Sequence, residues 1–156
     1  MQPTIKEQPV LILLLDREFA VLIESLRKLT LKTPAHLLYF SPPSITVGES
    51  ILRSAGLIEQ TFGGIASNLW DDPFEWTLPE TLSNSDRVLE YLSEVEATRT
   101  RVFASFVSDE TLFKLIALPS GEPCRLVELL VQTLMRASEY RGRAVAMLKM
   151  LSDVHA

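Results

Sequence analysis

The chain has 156 residues, of which 47% are hydrophobic and 22% charged. That is enough apolar material for one domain, taken here as 1–156, with a packed core, and it excludes global disorder. A formal net charge of −5 speaks against the basic face that nucleic-acid binding needs. One cysteine, Cys124, and two histidines, His36 and His155, leave no intramolecular disulfide and almost no scope for a His-rich zinc site.

Residues 8–31 read as a helix, because Leu11, Leu15, Phe19, Leu22, Leu26 and Leu29 recur at steps of three or four. The apolar run 10–15, ending at Asp16, also suits the first strand of a doubly wound sheet, but no further β-branched strands follow it. The run is far short of the roughly 20 residues of a membrane span, and shorter than a signal-peptide core. A soluble cytoplasmic protein, without membrane association, is the expectation. Segment 33–45 holds Thr33-Pro34 and Pro42-Pro43 and reads as loop. Thr46 and Glu49 then have the spacing of a capping box, opening a second helix. Its stripe is Val47, Ile51, Ala55, Ile58, Phe62 and Ile65, with Leu69 at its edge; Gly63-Gly64 weakens the last two turns.

Residues 70–82 form a second loop, followed by a helix over 84–106 that Ser83 and Asp86 can cap. Its stripe is Val88, Leu92, Val95, Val102 and Phe106, with Thr98 in the gap. Residues 111–118 suit either a short helix or an extended piece. Pro123 sits where a first-turn proline belongs, and the last helix runs to about residue 151 on Leu126, Leu130, Leu134, Ala137, Tyr140, Ala144, Leu148 and Leu151. Four helices of roughly 35–40 Å bury their stripes most simply against one another. The expected fold is an all-α four-helix bundle with little or no strand.

Two places carry possible chemistry. Cys124, in the first turn of the last helix, would gain thiolate character from the helix dipole; equally, it suits a small apolar residue packed under the preceding loop. Asp71-Asp72 suits a hard cation, a cap or a solvated pair. No G-x-S-x-G elbow or phosphate-binding loop is present. The last helix holds Met135-Arg136-Ala-Ser-Glu139-Tyr140-Arg141-Gly142-Arg143. Arg136 and Tyr140 are i,i+4 and share a face beside the apolar stripe. A guanidinium there needs a carboxylate or an open pocket, and Glu49, Glu59 and Glu139 are the candidate partners. Gly142 in mid-helix suggests close approach by another group.

These residues resemble the DinB/YfiT-like superfamily. Thr46-Val47-Gly48-Glu49 matches its helix-two start, and Arg136 with Tyr140-Arg141-Gly142-Arg143 matches its last-helix H-x-x-x-H-R-G-Q in outline, with Arg141-Gly142 identical. The resemblance implies a bundle whose long middle connections cross over its ends. It also implies a metal triad of one His on helix two and two on the last helix. The matching positions here are Arg136, Tyr140, and either Arg53, counted from Thr46, or Ser54, if Ile51-Leu52-Arg53 aligns with the family's I-L-R. None is His, and arginine offers a metal no lone pair.

The expectation is therefore a metal-free, cofactor-free bundle that binds a small anionic ligand at Arg53, Ser54, Arg136 and Tyr140, or serves in protein interaction. The alternative implied by the family is a metal- or thiol-dependent S-transferase or isomerase, so enzymatic activity stays open. A homodimer is expected too. Ile12, Leu13, Leu14, Ala20, Val21 and Ile23 give the first helix more apolar surface than one bundle stripe uses.

Overall fold

A computed structural model describes residues 9–40 and 45–154 of the chain. Residue 8, the Pro42-Pro43 stop and His155 lie outside the described residues. Four long helices account for most of the rest: α1 (Val10–Lys32), α2 (Val47–Ser67), α3 (Ser85–Ala104) and α4 (Leu126–Val154). At 1.5 Å per residue they run from about 30 Å (α3) to about 44 Å (α4), a wider spread than the uniform length expected.

Identifiable residues cap α1, α2 and α3. Thr46 accepts the N–H of Glu49 at 3.0 Å, and Asn84 accepts that of Arg87 at 3.0 Å, so α2 and α3 carry side-chain caps. For α3 the cap is Asn84, not Ser83 or Asp86. Asn68 closes α2 in the left-handed region, φ 54°, a conformation asparagine tolerates better than most residues. The N-terminus of α1 is capped from far along the chain. Asp109 accepts from the backbone N–H groups of Leu11 and Ile12 at 3.1 and 3.0 Å, placing a carboxylate at the positive end of the helix dipole.

The helices pack in the cyclic order α1–α3–α2–α4, with α2 lying most extensively on α4 and α1 on α3. Segments 33–46 and 105–125 thus join helices at opposite corners. Segment 68–84 joins neighbours, against the expectation that both middle connections cross over. Phe19, Phe62 and Phe103 meet edge-on or tilted, with centroids 5.2–6.0 Å apart, so α1, α2 and α3 share one aromatic centre.

Three expectations are corrected here. Segment 111–118, expected as a short helix or an extended piece, holds part of each, and the expected helix start at Pro123 is overturned. A 3-10 helix (Asp109–Phe113) leads into strand β1 (Leu115–Ala117), which pairs antiparallel with β2 (Pro123–Arg125). Gly121, at φ 83°, sits in the turn between them. Pro123 and Cys124 therefore belong to a strand, and α4 starts at Leu126. The gap in the α3 stripe is filled by Arg99, not Thr98. The Arg99 side chain is 10% exposed and pairs with Asp16 of α1 and with Glu96 at 2.6 Å. Gly142 makes no close approach, since a Cβ there would meet nothing within 4 Å.

On α1, Ile12 and Ile23 are buried in the core, while Leu13, Leu14 and Val21 stay exposed. No helix among the described residues is long and apolar enough to cross a membrane.

Candidate functional site

Arg53, Gly56, Leu57 and Gln60 lie at i, i+3, i+4 and i+7 on one face of α2. Arg136 and Tyr140, one turn apart on α4, line the same cavity, and the loop after α2 closes it with Asp72 and Phe74. The cleft measures about 280 Å³. Three of the four residues singled out in the sequence thus converge. Ser54, one position round α2, does not line the cleft: it is fully buried between α2 and α4, and its hydroxyl donates to the Ala137 carbonyl at 2.7 Å. Arg53, not Ser54, is the helix-two residue of the cleft, and Ser54 locks α2 to α4.

The Arg53 guanidinium lies over the Phe74 ring, 3.8 Å from its centroid. Stacking satisfies the guanidinium face and leaves its N–H edge for hydrogen bonding. Arg53 Nε is buried and has no hydrogen-bond partner, and a buried donor of this kind calls for an acceptor. Arg136 is exposed at the mouth of the cleft. Among the described residues, neither guanidinium makes an ion pair.

None of the expected carboxylate partners pairs with either guanidinium. Glu59 accepts from the Tyr91 hydroxyl at 2.5 Å. Burial raises the Glu59 pKa, the Tyr91 hydrogen bond works against that, and Glu94 adds to it. The Tyr91 phenol is also pushed up, by burial first and then by Glu59. Glu49 belongs to the first turn of α2 and Glu139 is exposed on α4; neither pairs with Arg53 or Arg136.

The loop that supplies Asp72 and Phe74 is held by contacts the sequence reading missed. Gly64 lacks the Cβ that would overlap the Trp70 ring, so the indole packs against α2. Gln60 Nε2 then donates to the Trp70 carbonyl at 2.8 Å. Asp72 accepts from the Phe74 N–H at 3.0 Å and starts a short 3-10 helix (Pro73–Glu75). The one advance signal was a glycine in the last turns of a helix, a few residues before a tryptophan.

The donor set does not fit the metal that the family resemblance implies. Guanidinium nitrogens carry no available lone pair, so Tyr140 is the only matched ligand position in the cleft able to coordinate. Among the described residues no three or more His, Cys, Asp or Glu side chains group as a metal site would. His36 is exposed in a 3-10 helix (Ala35–Leu37). Cys124 is buried, and its thiol lies 3.7 Å from Glu128 Oε2. Burial and the Glu128 carboxylate push its pKa up, the reverse of thiolate activation.

A larger groove of about 640 Å³ runs along α1 and reaches Val145 of α4. Its floor is Ala20, Val21 and Leu29, and Arg17, Lys28 and Lys32 stand among its lining residues. Glu24 and Ser25 line it as well. Compared with protein-family models, with curated proteins and with solved structures, the chain finds no match.

Proposed function

We propose that this chain is a divergent DinB/YfiT-like bundle without the family's metal, and that it binds a small anionic ligand between α2 and α4. One observation carries the reading: Arg53 and Arg136 line one cleft, and no carboxylate among the described residues pairs with either. A carboxylate or phosphate oxygen would accept from the exposed guanidinium N–H groups in charge-assisted hydrogen bonds. The thiol-transferase reading is less favoured, because the donor set is poor for a metal and Cys124 lies outside the cleft. The setting we propose is cytoplasmic. A homodimer through the exposed Leu13, Leu14 and Val21 face of α1 is a separate proposal, which sedimentation at high micromolar concentration checks.

The test is calorimetric titration of wild type and Arg136→Ala with propionate at low salt. Loss of one hydrogen bond to a charged group is worth about 1.5–3 kcal/mol, so the variant should bind about ten- to hundredfold more weakly. Gly56→Ala gives a second readout. A Cβ at 56 would make only ordinary contacts, 3.9 Å from Pro73 and 4.0 Å from the Tyr91 hydroxyl. The fold should therefore keep its stability while the cleft narrows and binding falls. Unchanged affinity in both variants would remove the anion site.

A further inference from the structure

The cleft contains charges of both signs that do not touch. Asp72 lines the same cavity of about 280 Å³ as Arg53 and Arg136, yet it forms an ion pair with neither. Asp72 and Arg136 are exposed, where ion pairing is worth little, and the scaffold holds Asp72 and Arg53 in place. Asp72 is fixed by its bond from the Phe74 N–H, and Arg53 by its stacking on the Phe74 ring. One residue therefore anchors both charges, the carboxylate through its backbone and the guanidinium through its side chain.

The neutral residues extend the same polarity. One N–H of the Gln60 amide is engaged by the Trp70 carbonyl, which fixes that amide and leaves its oxygen as an acceptor. Gln60 lies two turns along α2 from Arg53, about 10 Å at 1.5 Å per residue. Gly56 lies between them and contributes no side chain. The wall thus runs from donors at Arg53 to an acceptor at Gln60, with an open stretch in the middle.

We propose that the ligand is a small zwitterion with the carboxylate and ammonium groups of an amino acid. Its carboxylate would meet Arg53 and Arg136, and its ammonium would meet Asp72 and the Gln60 oxygen. This rests on the anion reading above and narrows it. A dianion would gain from the arginines but be repelled by Asp72, and a simple amine would face two uncompensated guanidiniums. Size points the same way. The cleft of about 280 Å³ has room for a small amino acid.

L-Alanine and propionate form a matched pair of probes, since they differ only in the ammonium group. Both are titrated into wild type, Asp72→Asn and Arg136→Ala, with calorimetry or amide chemical shifts as the readout. Asparagine also caps helices well, so Asp72→Asn keeps the turn and removes the charge. Wild type should bind L-alanine at least about tenfold tighter than propionate, on the scale of one hydrogen bond to a charged group. Asp72→Asn should bring L-alanine down to the propionate level without weakening propionate, and Arg136→Ala should weaken both. Equal affinities in wild type, or an L-alanine advantage that survives Asp72→Asn, overturn the zwitterion and leave the anion site standing. No saturable binding of either probe to wild type, or propionate binding indifferent to Arg136→Ala, overturns both.

Discussion

Gly64 and Gly142 are both interior helical glycines, and the structure predicts opposite consequences for the same substitution. In Gly142→Ala the new methyl meets nothing within 4 Å. Only the helix-propensity gain remains, about 0.5–1 kcal/mol. For a chain of this length 1 kcal/mol is worth roughly 2–4 °C in Tm, so the variant should melt about 1–4 °C higher. In Gly64→Ala the same gain is offset by overlap with three atoms of the Trp70 indole. Overpacking costs about 1–3 kcal/mol, and the upper part of that range applies because a rigid ring must leave as a unit. Trp70 is also tied through its indole N–H to Asn68 at 2.9 Å and through its carbonyl to Gln60 at 2.8 Å. The net expectation is a loss of about 1–2 kcal/mol, read by urea unfolding. Tryptophan emission should shift in Gly64→Ala and not in Gly142→Ala, since Trp70 is one of only two tryptophans. A Gly64→Ala protein as stable as wild type, or a destabilised Gly142→Ala, would refute the reasoning.

Three further outcomes are expected. Asp109→Ala removes the cap of α1 and should cost about 1–2 kcal/mol in urea unfolding; Asp109→Asn, which keeps an acceptor but no charge, should cost less. Arg99→Met strands Asp16 and Glu96. Both carboxylates are 34% exposed and reach water, so the expected cost is about 2 kcal/mol, below the roughly 3–5 of a fully buried pair. Adding Asp16→Asn to Arg99→Met should change stability little, because the two residues act as one unit. At alkaline pH, burial and then Glu49 and Glu80 push Tyr39 up to about 12. Between pH 10 and 12 the folded chain keeps a proton that the unfolded chain has lost. Stability complete below pH 10 should therefore fall across that window, and Tyr39→Phe should flatten part of the fall in unfolding curves at stepped pH.

Features set within one turn or one stripe were legible in the sequence. The Thr46 cap, the leucine period of α1 and the pairing of Arg136 with Tyr140 on one face of α4 all depend on residues four or fewer apart. Arg99 continues the α3 spacing 88, 92, 95, 99, 102, but an arginine reads as a break in an apolar stripe until Asp16 is known to face it. The pairing of the extended piece within 111–118 with residues 123–125 was illegible for another reason. Strands of three residues have no measurable period, and Pro123 suits a helix start as well as an edge strand. The cap of α1 by Asp109 spans almost a hundred positions and leaves no local trace.

The cleft divides along the same line. Its helical half, Arg136 and Tyr140 with either Arg53 or Ser54 on α2, follows from helix period and the motif resemblance, because a helix carries its side chains at fixed angles, and the structure selects Arg53 for the cleft. Its loop half, Asp72 and Phe74, depends on where an irregular segment comes to rest, and that is decided by the indole against Gly64 and the bond from Gln60 to the Trp70 carbonyl. The helical half supplies the cations and the loop half the carboxylate. Reading the helices alone leads to an anion site, and only the packing of the loop introduces the second charge that distinguishes a zwitterion from a simple anion. Displacing the loop moves Asp72 and takes the Phe74 ring from Arg53 but leaves Arg136 in place on α4, so it should change selectivity more than it changes anion affinity. Gly64→Ala makes that change, and in it the preference for L-alanine over propionate should shrink while propionate still binds.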